Sequence, residues 1–207
     1  MTRSPAPAAT AATQQDGLVR CLDAGGVALF GADTVYGLCC DPVRADAVAR
    51  LYTLKGRDRE KPAALAFFSL AAALGALPEL GPRTRAAFAA LLPGPLTLLV
   101  PNPARRYPLA GGELLGVRVI DIGIDLERPV LQSSANPAGG GDPRSLDEVA
   151  AGIRAAVDLE LDRGVLPGTP STVVDLASFE ATAGWRVVRQ GALSDAEIRG
   201  ALVGSGQ

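Results

Sequence analysis

Gly31-Ala32-Asp33-Thr34-Val35-Tyr36-Gly37-Leu38, followed by Lys55-Gly56-Arg57-Asp58-Arg59-Glu60-Lys61-Pro62, decides how this chain is read. The apolar run Val27 to Phe30 in front of it reads as a short buried strand, so the first stretch marks a strand end and the second a basic loop that holds a glycine. A hydroxyl, a backbone glycine and several cations at the carboxyl edge of a sheet are what a protein needs to hold nucleotide phosphates beside a small polar substrate. Thr34 could point its hydroxyl at such a ligand, or it could simply stabilise the turn. Lys55, Arg57, Arg59 and Lys61 read either as a solvated loop or as a ligand contact, and the apolar strand that follows Lys61-Pro62 favours the contact.

Outward from that centre, helices and strands alternate. Asp16 to Ala24 has helical apolar spacing and stops at Gly25-Gly26, while Pro42 to Leu54 carries an apolar stripe that runs out at Lys55-Gly56. Ala63 to Phe68 is a strand, followed by Ala-rich helices over Leu70 to Leu77 and Pro82 to Leu92. Leu96 to Val100, Gly116 to Ile120, Pro129 to Gln132, Val157 to Leu161, Ser171 to Leu176 and Trp185 to Arg189 read as further strands. The turn formers from Pro137 to Pro143 make a flexible loop, and Ser145 to Glu148 and Ser194 to Glu197 each fit a capping box that opens a helix. Several late strands have no helix between them, so the class is α/β with a mixed parallel and antiparallel sheet. Residues 1–15 read as a disordered tail and 16–207 as one domain.

Composition narrows the chemistry. A net charge of -2 disfavours bulk polyanion binding, and no apolar run approaches the ~20 residues that cross a bilayer. The first fifteen residues lack the apolar core of a secretory signal. Three cysteines, Cys21, Cys39 and Cys40, show no metal or redox spacing, which points to a reduced, cytoplasmic setting. Histidine is absent, so triads and imidazole bases are excluded.

Polar residues break several of the apolar runs. Arg118 interrupts the run Leu114 to Ile120, where a guanidinium needs either water at a sheet edge or an anion. Ser134 and Asn136 lead into the Gly-rich loop, where short side chains and backbone N–H groups can form an anion nest. Ser171 begins one strand and Arg189 closes another.

Taken in order, Asp33-Thr34-Val35-Tyr36-Gly37-Leu38, Leu54-Lys55-Gly56-Arg57, Lys61-Pro62, Pro93-Gly94-Pro95-Leu96-Thr97, Gly116-Val117-Arg118-Val119, Ser134-Ala135-Asn136, Pro170 to Asp175 and Val188-Arg189-Gln190-Gly191 resemble the YrdC-like family of threonylcarbamoyl-AMP synthases across nearly the whole chain. The resemblance implies an open, twisted α/β sheet with flanking helices and a concave basic face. It implies a nucleotidyltransferase that joins L-threonine, bicarbonate or CO2, and ATP into threonylcarbamoyl-AMP and pyrophosphate, for tRNA modification next to the anticodon through transfer proteins. Thr34, Arg118, Ser134 and Ser171 would then hold threonine, and Lys55, Arg57, Asn136 and Arg189 would face ATP. Lys55 and Arg57 would stabilise developing charge, with no protein nucleophile, and Mg2+ would be held by the phosphates rather than by the protein.

Three departures from the family pattern stand out. Gly31-Ala32 replaces Pro-Thr, Ala66-Phe67 replaces a strand end that in some members carries a threonine-contacting histidine, and only Ile120 to Pro129 stands where members have a longer piece with a helix. That short piece predicts an altered pocket wall. It also motivates an alternative, a catalytically impaired paralogue that binds structured RNA on its basic face. A third class, the YrdC-like domains of larger carbamoyltransferases, sits beside other catalytic modules for which 207 residues leave no room.

Overall fold

Gly56 takes the left-handed backbone, at φ 57°, that ends the second helix and turns the chain away after Lys55. The computed structural model describes residues 11–56, 58 and 63–204, so Arg57, Arg59 and Lys61 of the basic loop lie outside the described residues. The described helices are α1 (Ala11–Asp23), α2 (Ala45–Lys55), α3 (Leu70–Ala76), α4 (Pro82–Leu91), α5 (Ala151–Arg154), α6 (Phe179–Thr182) and α7 (Asp195–Gly204). The strands are β1 (Ala28–Gly31), β2 (Tyr36–Cys40), β3 (Ala64–Phe67), β4 (Leu96–Pro101), β5 (Leu114–Val119), β6 (Val130–Ser134), β7 (Leu159–Leu161), β8 (Thr172–Asp175) and β9 (Arg186–Arg189).

These strands form one sheet in the order β7-β1-β2-β6-β3-β5-β4-β8-β9. The pairs β1/β7, β3/β5 and β4/β8 are parallel and the other five are antiparallel, which is the mixed sheet expected from late strands without intervening helices.

Side-chain alternation sorts the sheet into two faces. Leu29, Leu38, Leu65, Phe67, Leu98, Val117, Leu131 and Val174 point to a large core closed by α2, α4, α6 and α7. Ala28, Phe30, Cys39, Ala66 and Val130 point the other way, into a smaller core under Leu18 and Leu22 of α1. Beyond that smaller core no described helix covers the second face, and the remaining strands present it as an open trough.

Three readings change. α1 begins at Ala11, so part of the expected tail is helical. Tyr36 to Cys40, given no element in the sequence reading, is a strand and pairs with β1 in a hairpin whose turn is closed by Ala32 N–H to the Val35 carbonyl at 3.2 Å. All five of its residues are buried between the two cores, which removes the polar alternation that marks a half-exposed strand. Ser145 makes no side-chain cap and starts only the 3-10 turn Leu146–Glu148, because Glu148 is engaged by the Arg144 N–H at 2.8 Å. The box at Ser194 is formed as expected, with the Ser194 N–H and hydroxyl on Glu197 at 2.8 and 2.6 Å and Glu197 N–H returning at 3.3 Å.

The hairpin is locked from above by Tyr36. Its hydroxyl donates to Asp162 Oδ1 at 2.8 Å and lies 2.9 Å from the Gly164 carbonyl, and it accepts from Arg163 N–H at 2.8 Å. Pro143 and Gly168 join in through the Tyr36 N–H and the Thr34 carbonyl, at 2.8 and 2.9 Å. Burial pushes the Tyr36 phenol up to about 12, and the Asp162 charge and hydrogen bond push the same way, against the Arg163 N–H. The folded value lies above the ordinary 10, so this contribution to stability is present below pH 10 and is lost as pH rises toward about 12. Tyr36→Phe leaves buried partners unsatisfied, so urea titration at pH 7 should show a loss of about 1–3 kcal/mol. The same variant should lose less than the parent chain when the pH is raised through that window.

Candidate functional site

The open trough is a cleft of about 310 Å³ lined by residues from many separate segments. The β1–β2 turn gives Thr34 and Val35, β3 gives Ala64, β4 gives Thr97 and Leu99, and β5 gives Leu114, Gly116 and Arg118. Gln132 and Ser134 of β6, Asp142, Ser171, Val173 of β8 and Arg189 of β9 complete it. Strand register explains the convergence. Gln132, Ala64, Gly116 and Leu99 lie side by side across β6, β3, β5 and β4, and Thr97, Val173 and Arg189 lie side by side across β4, β8 and β9. Small Ala64 and Gly116 in the middle of the first row make the floor low, while the ends carry polar groups.

Arg118 is the electrostatic centre. It is 4% exposed on a central strand, so the sheet-edge alternative is excluded. Its guanidinium donates to Asp33 Oδ1 at 2.5 Å, Gln132 Oε1 at 3.3 Å and Thr34 Oγ1 at 3.4 Å. Burial pulls Arg118 below its ordinary range, the Asp33 carboxylate opposes that, and the nearby Arg189 charge adds to it. Two guanidinium groups that repel each other across one cleft are stabilised by an anion between them. Arg118 Nε and Asp33 Oδ2 are both buried without a partner among the described residues.

Hydroxyls line the approach. Ser171 Oγ and Thr97 Oγ1 share a hydrogen bond at 2.9 Å, and Arg189 donates to the Ser171 carbonyl at 2.7 Å and its hydroxyl at 3.3 Å. A Cβ at Gly37 would stand 2.5 Å from Gln132 Nε2 and push that amide aside, so the glycine of the opening motif leaves it in place beside Arg118.

Of the eight residues read as site candidates, Thr34, Arg118, Ser134, Ser171 and Arg189 line the cleft. Lys55 and Asn136 do not. Lys55 is 3% exposed, and its ammonium donates to the carbonyl of Ser134, the carbonyl of Asn136 at 2.8 Å and Asn136 Oδ1 at 2.9 Å. Asn136 also accepts from Ser134 Oγ at 2.7 Å and donates to the Gly140 carbonyl. Lys55 thus supports the Ser134–Asn136 bend from below instead of facing the cleft. Arg57 lies outside the described residues.

Sequence reasoning assigned no role to Thr97, Gln132, Asp142 or Asp33. Gln132 was read only as the last residue of the strand Pro129 to Gln132, with serines after it, so it lacked the signal that singled out Arg118. The short piece Ile120 to Pro129 does not line the cleft, because Ile120, Ile122 and Ile124 are buried in the smaller core with α1. Only Asp121 reaches an adjoining cavity of about 330 Å³, which Asp33 and Thr34 also line. Cys39 and Cys40 are buried, and burial pushes both thiols up, Cys40 to about 12, so neither offers a thiolate at neutral pH.

Residues 20–191 match the Sua5/YciO/YrdC family model, described as "Telomere recombination". A threonylcarbamoyl-AMP synthase of Chromohalobacter salexigens is 38% identical over 172 residues, covering 78% of this chain and 92% of that protein. One of Hahella chejuensis is 32% identical over 170 residues, covering 77% and 92%. Among solved structures, Pyrococcus abyssi Sua5 complexed with L-threonine superposes with a TM-score of 0.80 at 25% identity, over 94% of this chain and 58% of that one.

Replacing Lys55 by methionine keeps the aliphatic stem and removes the donor to two carbonyls. The ligand-free protein should lose about 2–4 kcal/mol by urea titration. An unchanged midpoint would overturn the supporting role assigned to the Lys55 ammonium.

Proposed function

The chain belongs to the Sua5/YciO/YrdC family, and from that membership and its cleft we propose that it is an L-threonylcarbamoyladenylate synthase, a transferase of tRNA modification. The single observation that carries the reading for this chain is the convergence of Thr34, Arg118, Ser134, Ser171 and Arg189 on one cleft from five distant parts of the sequence. The reaction joins threonine, a carbonate-level carbon and ATP. Threonine's amine adds to CO2 to give a carbamate and a proton. A carbamate oxygen then bonds to the α-phosphorus of ATP as the bond to pyrophosphate breaks.

This chemistry asks a protein for position and charge, not for a nucleophile, which suits a chain with no histidine and with buried thiols. Arg118 would take threonine's carboxylate, because a guanidinium deep in the sheet binds a planar anion with little competition from water. Thr34, Ser134 and Ser171 would hold its polar groups, Ser171 being already aligned by Thr97 and Arg189. Arg189 stands exposed at the far side of the cleft, where the triphosphate would lie, and shifts charge away from the α-phosphorus as pyrophosphate departs. Lys55 and Asn136 would act on the nucleotide through the shape of the Ser134–Asn136 bend. Asp142 is the single carboxylate among the described cleft residues, too few for a protein-held magnesium site, so Mg2+ would travel with the ATP phosphates.

No described helix is long and apolar enough to cross a membrane, and reaction in the cytoplasm, with handover to tRNA through transfer proteins, completes the proposal. The RNA-binding alternative is not favoured. It leaned on Lys55 and Arg57 and on a pocket altered by the short piece 120–129, whereas Lys55 is buried, Arg57 lies outside the described residues, and that piece packs against α1.

The purified chain with Mg2+ should release pyrophosphate from ATP only when both threonine and bicarbonate are present. Release that ignores threonine, or none at all, would defeat the proposal. Arg118→Lys keeps the charge but loses the planar fork, and kcat/KM for threonine should fall roughly 10- to 100-fold in the same assay.

A further inference from the structure

Asp33 and Arg118 form an ion pair that is incomplete on both sides. The contact uses Asp33 Oδ1 and one terminal nitrogen of Arg118, at 2.5 Å. Asp33 Oδ2 and Arg118 Nε are buried and have no partner among the described residues. A buried carboxylate oxygen and a buried N–H of a guanidinium are each costly to leave unmade, and in a folded protein such a pair of orphans marks a place where something else binds. Both atoms are closed to solvent, but the side chains that carry them border open space: Arg118 lines the cleft, Asp33 lines the adjoining cavity, and Thr34 lines both, so the ion pair stands where the two meet.

The two orphans are of opposite kind, an acceptor with negative charge and a donor with positive charge. An isolated guanidinium would take any anion, including the phosphates of ATP, and would not separate the two substrates. Coupled to a carboxylate, the same guanidinium sits in a nearly neutral pair that favours a ligand carrying both charges at short separation. An α-amino acid is such a ligand, with carboxylate and ammonium on one carbon.

We propose that Asp33 is a specificity residue of the threonine subsite, its free carboxylate oxygen accepting the substrate's α-ammonium while Arg118 takes the adjacent carboxylate. This rests on the synthase reading and goes beyond it by assigning the amine's receptor. The ammonium must lose a proton to solvent before the amine can attack CO2, and the residue that holds it sets the direction of the nucleophile so released. Asp33 excludes phosphate from the Arg118 subsite by its own charge, which leaves the triphosphate to Arg189.

The experiment is calorimetric titration of L-threonine and of β-hydroxybutyrate of the same hydroxyl configuration, which is threonine with hydrogen in place of the ammonium. Both are measured on the full chain and on Asp33→Asn. The parent chain should bind threonine roughly 10- to 100-fold more tightly than the des-amino analogue, and Asp33→Asn should bring the two affinities within about threefold, mainly by weakening threonine. Discrimination unchanged in Asp33→Asn would overturn the proposal. Should Asp33→Asn fail to fold, as an uncompensated Arg118 could cause, Asp33→Glu takes its place: it keeps a charge beside Arg118 but moves the carboxylate, so unchanged discrimination overturns the assignment and reduced discrimination supports it. A parent chain that binds neither ligand would defeat the synthase reading itself, and that result is distinct from threonine binding that is indifferent to Asp33.

Discussion

A guanidinium in the middle of a sheet is the constraint around which this protein is organised. Arg118 lies on β5, between parallel β3 and antiparallel β4, where every neighbour in the strand is apolar. Taking that charge out of water is tolerable only because Asp33, Thr34 and Gln132 are brought to it from the hairpin turn and from β6. Those three contacts fix the hairpin against the sheet, and with it Tyr36 and the segment that covers it. The polar wall of the cleft and the anchoring of the N-terminal half are thus one arrangement.

The roles of backbone and side chain divide cleanly. Small residues set space: Ala64 and Gly116 lower the floor, and Gly37 leaves room for the Gln132 amide. Buried polar residues set direction. Lys55 holds the Ser134–Asn136 bend by its carbonyls, and Thr172 accepts from the N–H groups of Gly191 and Leu193 at 3.0 Å while donating to the Leu193 carbonyl, which fixes the turn after Arg189. Neither side chain lines the cleft, yet each positions residues that do.

Most of the element boundaries and the mixed sheet were readable from apolar periodicity and from glycine and proline stops. β2 was not, because a strand buried on both faces has no alternation to mark it. The Ser145 box failed where the Ser194 box succeeded, since Glu148 is engaged by Arg144 instead of reaching back to Ser145. Within the cleft, residue type at an anomalous place was the reliable signal, as with Arg118 in an apolar strand. Lys55 misled for the opposite reason: a cation in a basic loop looks solvated or ligand-facing, and nothing local reveals that two carbonyls from β6 and its following bend meet it. Asp33 was in plain view, but its unfinished pairing exists only in three dimensions.

The order of the strands has a consequence for how the molecule is made. β8, which covers the outer edge of β4 and supplies the segment that bears Ser171, and β9, which carries Arg189, come from the last forty or so residues, on the order of seconds behind the rest at the ribosome. Until they emerge, β4 presents an unpaired apolar margin, an invitation to stray strand addition. In a chain cut short before β8, the cleft would lack the wall that bears Ser171 and Arg189, and the margin of β4 would stay uncovered: completion of the cleft coincides with disappearance of the exposed edge.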